Sequence, residues 1–358
     1  MKSSTRKRTV TLADVGRAAG VSPAAASYAL NDRPGVSDAT RAHVKRAADE
    51  LGWFPHARGR ALAYSRAFTV GLVHARPAHL LSSDPFFASF LAGVEESLSP
   101  AETGLLLRVI ADVGREPDVY RRLAKTGKVD GFILADMRRR DPRPRLLDEL
   151  EVPAVALARP VGSARCSWVY IDDTSGVRAA VDHLAQLGHR DIAHVAGPAV
   201  YVHSRSRESA WRRAVRRHAL PPGAIEVGDF TAEGGAAATK RLLDADVVPS
   251  AIVYANDLMA LAGMGVLADA GLSVPRDVSV VGFDDVPMAA FSRPPLSSVR
   301  ADVQGWARAG AAELLARIDG GPPRAIALDA AELVVRGSTA APRGTPRDQQ
   351  TSRHRRSG

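Results

Sequence analysis

From Phe68 onward, short apolar runs of strand length alternate with stretches of helical pattern. FTVGLVHA, LLLRVI, VDGFILAD, VPAVALAR and WVYIDD form a first series. HRDIAHVAGP, AIEVGDF, AIVYAND, VSVVGFDD and SSVR form a second. Helical patterns separate most of them: Phe86 to Ser97, Pro117 to Thr126, Ser175 to Leu187, SRSRESAWRRAVRRHAL, Gly234 to Leu243, Leu258 to Ala270 and Val303 to Ile318. Such alternation calls for parallel sheets with helices on both faces. The segment IALDAAELVVRGST closes the ordered pattern with β-like runs.

The 358 residues are too many for one small core, so two or three domains are expected. No apolar run is long enough to span a bilayer. The N-terminus MKSSTRKRTV is basic but lacks the apolar stretch of a secretory signal, which makes the cytoplasm the default location. Cys166 is the single cysteine, which excludes an internal disulfide and a cysteine-based metal cluster. The net charge of +9 is unevenly spread: residues 1–66 carry +7, residues 67–341 carry −2 and the tail from Pro342 carries +4. A basic end on a nearly neutral body points to a polyanion partner at that end. The alternative, that basic ends only aid solubility, is opposed at the N-terminal end by the helical patterning of residues 10–66 and stays open for the tail.

That basic end opens with VTLADVGRAAGVSPAAASYALN, Val10 to Asn31. Leu12, Val15 and Ala19 fall at helical spacing, Asp14 suits the start of the dipole, and Gly20 ends the helix. Ser22 caps a second helix with Pro23 at its first position. Ala26, Ala29 and Leu30 turn inward, leaving Pro23, Ala24, Ser27 and Tyr28 outward. The slim second helix suits a major groove, although shape alone serves an ordinary helical hairpin equally well. A third helix follows NDRPGV, with Val44, Ala47, Ala48 and Leu51 on one face. Beyond Pro55, residues 57–63 form a short basic helical pattern with Arg58, Arg60 and one large apolar residue, Leu62. Gly59 weakens it by about 1 kcal/mol relative to Ala. Such a segment suits a helix that folds only against a partner.

TLADVGRAAGVS, S-YALN, AADELGW-x-P and A-R-G-R-A-L resemble the DNA-binding head and hinge of the LacI/GalR family of bacterial transcription regulators. The likeness extends from residue 9 to about residue 339. It implies an all-α helix-turn-helix head on a two-lobed, periplasmic-binding-protein-like core of doubly wound parallel sheets. The expected division is a basic arm (1–9), the DNA-binding domain (10–54), a hinge (55–67), a core (68–339) and a disordered basic tail (340–358). Within the core, 68–171 with 301–327 make one lobe, and 172–300 with 328–339 the other.

The resemblance implies a homodimeric repressor on a palindromic operator in double-stranded DNA, switched by a small-molecule effector. Tetramers stay open, although the tail lacks the apolar heptads of a tetramerising coil. Thr11, Ser22, Pro23, Ala24, Ala25, Ser27, Tyr28, Asn31, Arg58, Arg60 and Leu62 are the expected DNA contacts. Leu62 is the implied minor-groove wedge, which would kink the DNA. Tyr28 stands where many members have Arg, Ala24 and Ala25 replace longer side chains, and Gly59 replaces a common Ala. Alanines offer a groove only apolar contact.

In open α/β sheets, ligands lie beyond the carboxyl ends of the strands. That rule selects the Asp84-Pro85-Phe86-Phe87 loop, Asp136, Arg159, Asp172, Asp229-Phe230, Asn256-Asp257 and Asp284-Asp285. The resemblance adds Arg207, which offers a bidentate fork, and sharpens Asp284, Asn256 and Phe230. The expected effector site is therefore Phe86, Phe87, Asp136, Arg159, Arg207, Phe230, Asn256 and Asp284, taking a sugar-like or nucleoside-like ligand. Ala135, Ala158 and Ala301 stand where polar side chains are frequent in sugar binders. Plainer roles compete: Arg207 paired with Glu208 or another acid, Asn256 and the Asp pairs as caps, the aromatics as core and Arg159 at a lobe interface. No nucleophile elbow, P-loop or His-Glu-x-x-His pattern occurs, so no catalytic, cofactor or metal site is expected. A solute-binding receptor without DNA function is the rival reading.

Overall fold

The computed structural model describes residues 10–54, 64, 66–76, 81, 84–160, 166–245 and 248–343. The basic arm, the hinge candidates Arg58, Arg60 and Leu62 with Gly59, and the chain beyond residue 343 lie outside the described residues. The chain divides into two units, residues 1–66 and 67–358.

The first unit packs α1 (Leu12–Ala18), α2 (Pro23–Leu30) and α3 (Asp38–Glu50) around Val15, Ala19, Ala26, Ala29, Val44, Ala47 and Ala48. Thr11 and Asp14 form a reciprocal capping box at α1. The turn into α2 needs a left-handed residue, supplied by Gly20 at φ +65°. Ser22 caps α2 by accepting from the Ala25 amide at 3.1 Å. Arg41 of α3 reaches the other end of α2, donating to the Ala29 and Arg33 carbonyls at 3.3 and 3.0 Å. A cation there satisfies orphan carbonyls and complements the dipole. One expected core residue is displaced: Leu51 is 39% exposed, because α3 ends before it and Trp53 packs against the core instead.

In the second unit, β1 (Thr69–His74), α4 (Pro85–Leu98), β2 (Gly104–Val109), α5 (Glu116–Lys125), β3 (Gly131–Leu134), α6 (Arg143–Glu149), β4 (Ala154–Ala156) and β5 (Ser167–Ile171) build one lobe. The other contains α7 (Asp173–Gln186), β6 (Ile192–Ala196), α8 (Val202–Arg217), β7 (Ile225–Val227), α9 (Ala232–Leu243), β8 (Ala251–Tyr254), α10 (Asp257–Asp269), β9 (Ser279–Phe283) and β10 (Ser297–Arg300). The chain then crosses back with α11 (Val303–Ile318) and β11 (Ala325–Leu328), and crosses again to end in β12 (Glu332–Val334). The sheet orders are β11-β5-β4-β3-β1-β2 and β12-β10-β9-β8-β6-β7. All pairings are parallel except β10 with β12, a departure from the all-parallel expectation.

Buried strands feed both faces of each sheet. Val70 and Leu72 of β1 join one apolar cluster and Val73 the other. Ala251 and Val253 of β8 face one way, Ile252 and Tyr254 the other. This period of two places polar strand-end residues at the sheet edges. α11 lies against α4 so closely that a Cβ on Gly93 would collide with the Gln304 carbonyl.

Several helices begin before the expected residue, each for a local reason. Asp172 caps α7 through the Thr174 amide, and Thr231 caps α9 through the Gly234 amide. The helix α6 was not evident from the sequence. Its segment is rich in Arg and Pro, and it folds because Leu146 and Leu147 are buried while Arg143 binds Asp141 and Glu116 inside the lobe.

Candidate effector cavity and DNA-reading surface

A cavity of about 320 Å³ lies between the two lobes, at the carboxyl ends of both sheets. All eight residues expected there line it: Phe86, Phe87, Asp136, Arg159, Arg207, Phe230, Asn256 and Asp284. Most follow a strand by one to three positions, so sheet geometry delivers them.

On the first lobe, Asp84 caps α4 by accepting from the Phe86 amide at 3.0 Å, which sets the two phenyl rings in the first turn. Those rings meet edge to face at 5.7 Å, and Phe87 meets His74 at 4.5 Å. Asp136 accepts from Arg76 Nη2 at 2.6 Å. Burial works to raise its pKa, but Arg76, His203, His74 and Arg143 outweigh that and hold it below the usual carboxylate value. The Arg76 guanidinium crosses to the other lobe and lies 4.4 Å from the Tyr201 ring centre and 5.3 Å from that of Phe230. Arg159 is exposed, its guanidinium 5.8 Å from the Trp168 ring.

On the second lobe, Arg207 does not pair with Glu208, which binds Arg205 and Arg212 instead. Arg207 Nε donates to Asp173 at 3.1 Å and Nη1 to the Ala255 carbonyl at 2.8 Å, with its guanidinium 3.4 Å above the Phe283 ring. Asn256 is only 3% exposed. Its oxygen accepts from the Met259 amide and its nitrogen donates to the Phe230 carbonyl, both at 3.0 Å. The capping role therefore holds for Asn256, while the residue still borders the cavity.

Asp284 differs from these. Its side chain takes no hydrogen bond among the described residues. Burial first, then the nearby Asp257 and Asp84, drive its pKa well above the ordinary value against the pull of Arg207. A half-buried, unpartnered carboxyl in a cavity, its pKa raised, is chemically suited to exchange hydrogen bonds with ligand hydroxyls, donating from its O–H and accepting at its carbonyl oxygen. Its backbone is left-handed at φ +104°, followed by Asp285 at φ +51°. Buried Asp257 braces that turn: it accepts from the Val286 amide at 2.8 Å and from Ser298 Oγ at 2.5 Å. Ser298 Oγ in turn accepts from the Asp285 amide at 3.1 Å.

Sequence reasoning missed Arg76, Phe90, Tyr170, His203, Ser206 and Trp306, which also line the cavity. Arg76 lies two residues beyond β1, so the strand-end rule reaches it. Trp306 has no such signal, because α11 brings it from the far end of the chain. His203 is kept neutral: burial, with help from Arg207 and Arg76, pushes its pKa down to about 3. Beside the cavity the lobes are joined by backbone: the Val202 amide donates to the Met137 carbonyl at 2.8 Å, and Arg138 bridges Tyr201.

In the head, α2 exposes Pro23, Ala24 and Tyr28, with Ala25 and Ser27 half-buried. The hydroxyls of Thr11 and Ser22 serve as caps, and the Asn31 amide donates to the Ser27 carbonyl at 2.8 Å. Tyr28 is thus the large side chain of that face. Among the described residues no His, Cys, Asp or Glu group could hold a metal ion, and no helix is long and apolar enough to cross a membrane.

A helix-turn-helix head with a separate two-lobed binding core defines a ligand-responsive DNA-binding protein. Residues 11–56 match the model for bacterial regulatory proteins of the lacI family, and residues 181–339 match a periplasmic binding protein-like domain. The chain is 38% identical to the HTH-type transcriptional regulator CelR of Thermobifida fusca, over 88% of this chain and 94% of that one. It is 31% identical to the ribose operon repressor of Escherichia coli (strain K12), over 81% and 87%. Among solved structures, a CelR–cellobiose complex shares 36% identity at a TM-score of 0.71, covering 92% of this chain and 99% of that one. The lac repressor dimer bound to operator and the anti-inducer ONPF shares 27% at 0.79, covering 93% and 100%. The chain belongs to the LacI family of bacterial regulatory proteins and is a DNA-binding transcriptional regulator. Its relatives are regulators rather than enzymes, and the receptor reading without DNA function is not favoured.

Proposed function

We propose that this regulator is a cytoplasmic homodimeric repressor of a palindromic operator, with affinity set by a sugar-like effector held between the core lobes. The observation that carries this reading is the unpartnered Asp284 carboxyl, with Arg207 on the same second-lobe wall of a cavity at the strand ends. Relatives supply the ligand class: the CelR structure holds cellobiose, and another relative is a ribose operon repressor. The homodimer is supported by the lac repressor dimer and by the exposure of Met288, in the short helical turn Pro287–Ala290, and of Phe291 just after it, 60% and 73%.

The mechanism is a population shift between two lobe arrangements. One lets the hinge segments carrying Arg58, Arg60 and Leu62 fold on DNA; the other does not. Base readout by α2 is thin, since Ala24 and Ala25 bring no hydrogen bond, so DNA bending at the hinge supplies much of the specificity.

The test is operator selection from genomic fragments, followed by anisotropy titrations with free sugars. Asp284→Ala is expected to keep operator affinity within about twofold and lose release by sugar. Leu62→Ala is expected to weaken operator binding at least about tenfold. A release response that survives in Asp284→Ala removes that residue from the site, and unchanged affinity in Leu62→Ala removes the wedge.

A further inference from the structure

Beside the effector cavity lies a second, smaller one of about 100 Å³. Its first-lobe wall carries His74, Glu116, Asp136, Arg138 and Arg143, and Val200 and Tyr201 of the second lobe close it. Among the described residues, only Ala135 and Asp136 border both cavities. The acids around it are all matched. Glu116 is bound by Arg138 and by Arg143 at 3.4 Å, Asp141 by Arg143 at 2.6 Å and Asp136 by Arg76 at 2.6 Å. Three carboxylates meet three guanidiniums, so this network is neutral. Three further arginines stand at its edge. Arg139 and Arg140 directly follow Arg138, and Arg115 lies between Val113 and Glu116, which both line the cavity. All three are exposed, and their side chains take no partner among the described residues. The Arg139 amide donates to the Val200 carbonyl at 3.4 Å, which fixes that arginine at the seam between the lobes. His74, at 3% exposure, has an Nε2 that takes no hydrogen bond. Such an atom in a cavity wall is costly unless a ligand or water meets it.

The surplus of positive charge at this edge falls in a core, residues 67–341, whose own net charge is −2. It therefore suits an anion rather than a neutral guest. Guanidinium forks match the oxygens of a phosphoryl group, which carries more charge and more acceptors than a carboxylate. The space admits a group of that size, with any remainder of the ligand left at the mouth. We propose that the seam cavity is a second ligand site, distinct from the effector cavity, which takes the phosphoryl group of free phosphate or of a small phosphate monoester. Arg139, Arg140 and Arg115 hold its oxygens. Val200 and Tyr201 belong to the other lobe, so an occupant touches both lobes and favours the arrangement in which they meet. The adjoining backbone bond from the Val202 amide to the Met137 carbonyl reports that arrangement.

The test is calorimetry on the full-length chain in chloride buffer at fixed ionic strength. The probes are inorganic phosphate and glycerol 3-phosphate, with glycerol as the uncharged control. At least one phosphate is expected to bind with a Kd of about 1 mM or tighter, and glycerol not to bind. Arg139→Ser combined with Arg140→Ser is expected to weaken that binding about tenfold or more. Asp284→Ala is expected to leave it within about twofold. Bound phosphate is also expected to slow exchange of the Val202 amide several-fold. Tighter binding of glycerol 3-phosphate assigns the site to a phosphorylated metabolite, and equal or weaker binding assigns it to free phosphate; either upholds the site. The proposal is overturned if neither phosphate binds, or if the double arginine variant binds like the parent, as phosphate held by the basic head would. Loss of phosphate binding in Asp284→Ala overturns the separateness of the two sites, and unchanged Val202 exchange overturns the bridging of the lobes. Release of operator by sugar is measured without phosphate, so the effector reading stands or falls separately.

Discussion

Asp257 sits beneath the ligand cavity, and its chemistry controls the turn that presents Asp284. Burial pushes its carboxyl up to about 7, against the opposing pull of its bonds from Ser298 and Val286. A raised folded value means the folded chain holds the proton more tightly than the unfolded one. The stability from this group is therefore complete below about pH 4 and is lost as pH rises to about 7, by up to about 4 kcal/mol. Asp257→Asn mimics the protonated form: its oxygen accepts from Val286 and its nitrogen donates to Ser298. Relative to the parent chain, the variant is expected to gain unfolding free energy steadily from pH 4 to 7 and to level off above. Urea denaturation at a series of pH values checks this, and a pH-independent difference would remove Asp257 as the titrating group. At this scale the sequence was informative where a side chain follows a strand, as for Asp136, Asn256 and Asp284. It was silent where the partner comes from elsewhere. Nothing around Arg207 in sequence announces Asp173 or the Phe283 ring, and nothing near Trp306 announces a cavity.

The elements were legible in proportion to how much their own residues decide them. Strands buried on both faces read as apolar runs, and the helix opened by Ser22 reads from its cap. The helix α6 did not read, because tertiary burial of Leu146 and Leu147 overrides a poor local pattern. The segment of β11, Ala325–Leu328, reads as β-like, but its own residues do not say which of the two sheets it joins. The short helix α2 depends most on its cap: it has eight residues, and its buried side chains are alanines. Ser22→Ala removes the acceptor for the Ala25 amide and is expected to destabilise α2 by about 1 kcal/mol. Amide exchange in α2 of the full chain should accelerate about fivefold while α7 is unchanged. Unaltered exchange would show that tertiary packing alone holds the helix.

At the scale of the molecule, the two core lobes share a cavity and a narrow seam of contacts beside it. Arg76 of one lobe rests on Tyr201 and Phe230 of the other, next to the Val202–Met137 backbone bond. Tyr201→Ala removes the nearest ring and is expected to raise the exchange rate of the Val202 amide several-fold and to weaken effector binding. Exchange that stays at the parent rate would place the hold of the lobes elsewhere. The returning chain has a further consequence, in the order of synthesis. α11 supplies Val303, Ala307, Ala311 and Leu314 to the core that also holds Leu72, Phe90 and Val94. Those early residues leave the ribosome long before their partners. At ~5–20 residues per second, roughly 7 to 26 s separate Ile171 from Val303. For that interval the head is already complete, while an apolar face of the first lobe stands uncovered. The nascent chain is thus a DNA-reading head on an unfinished sensor, and that uncovered face is where a chaperone has reason to wait.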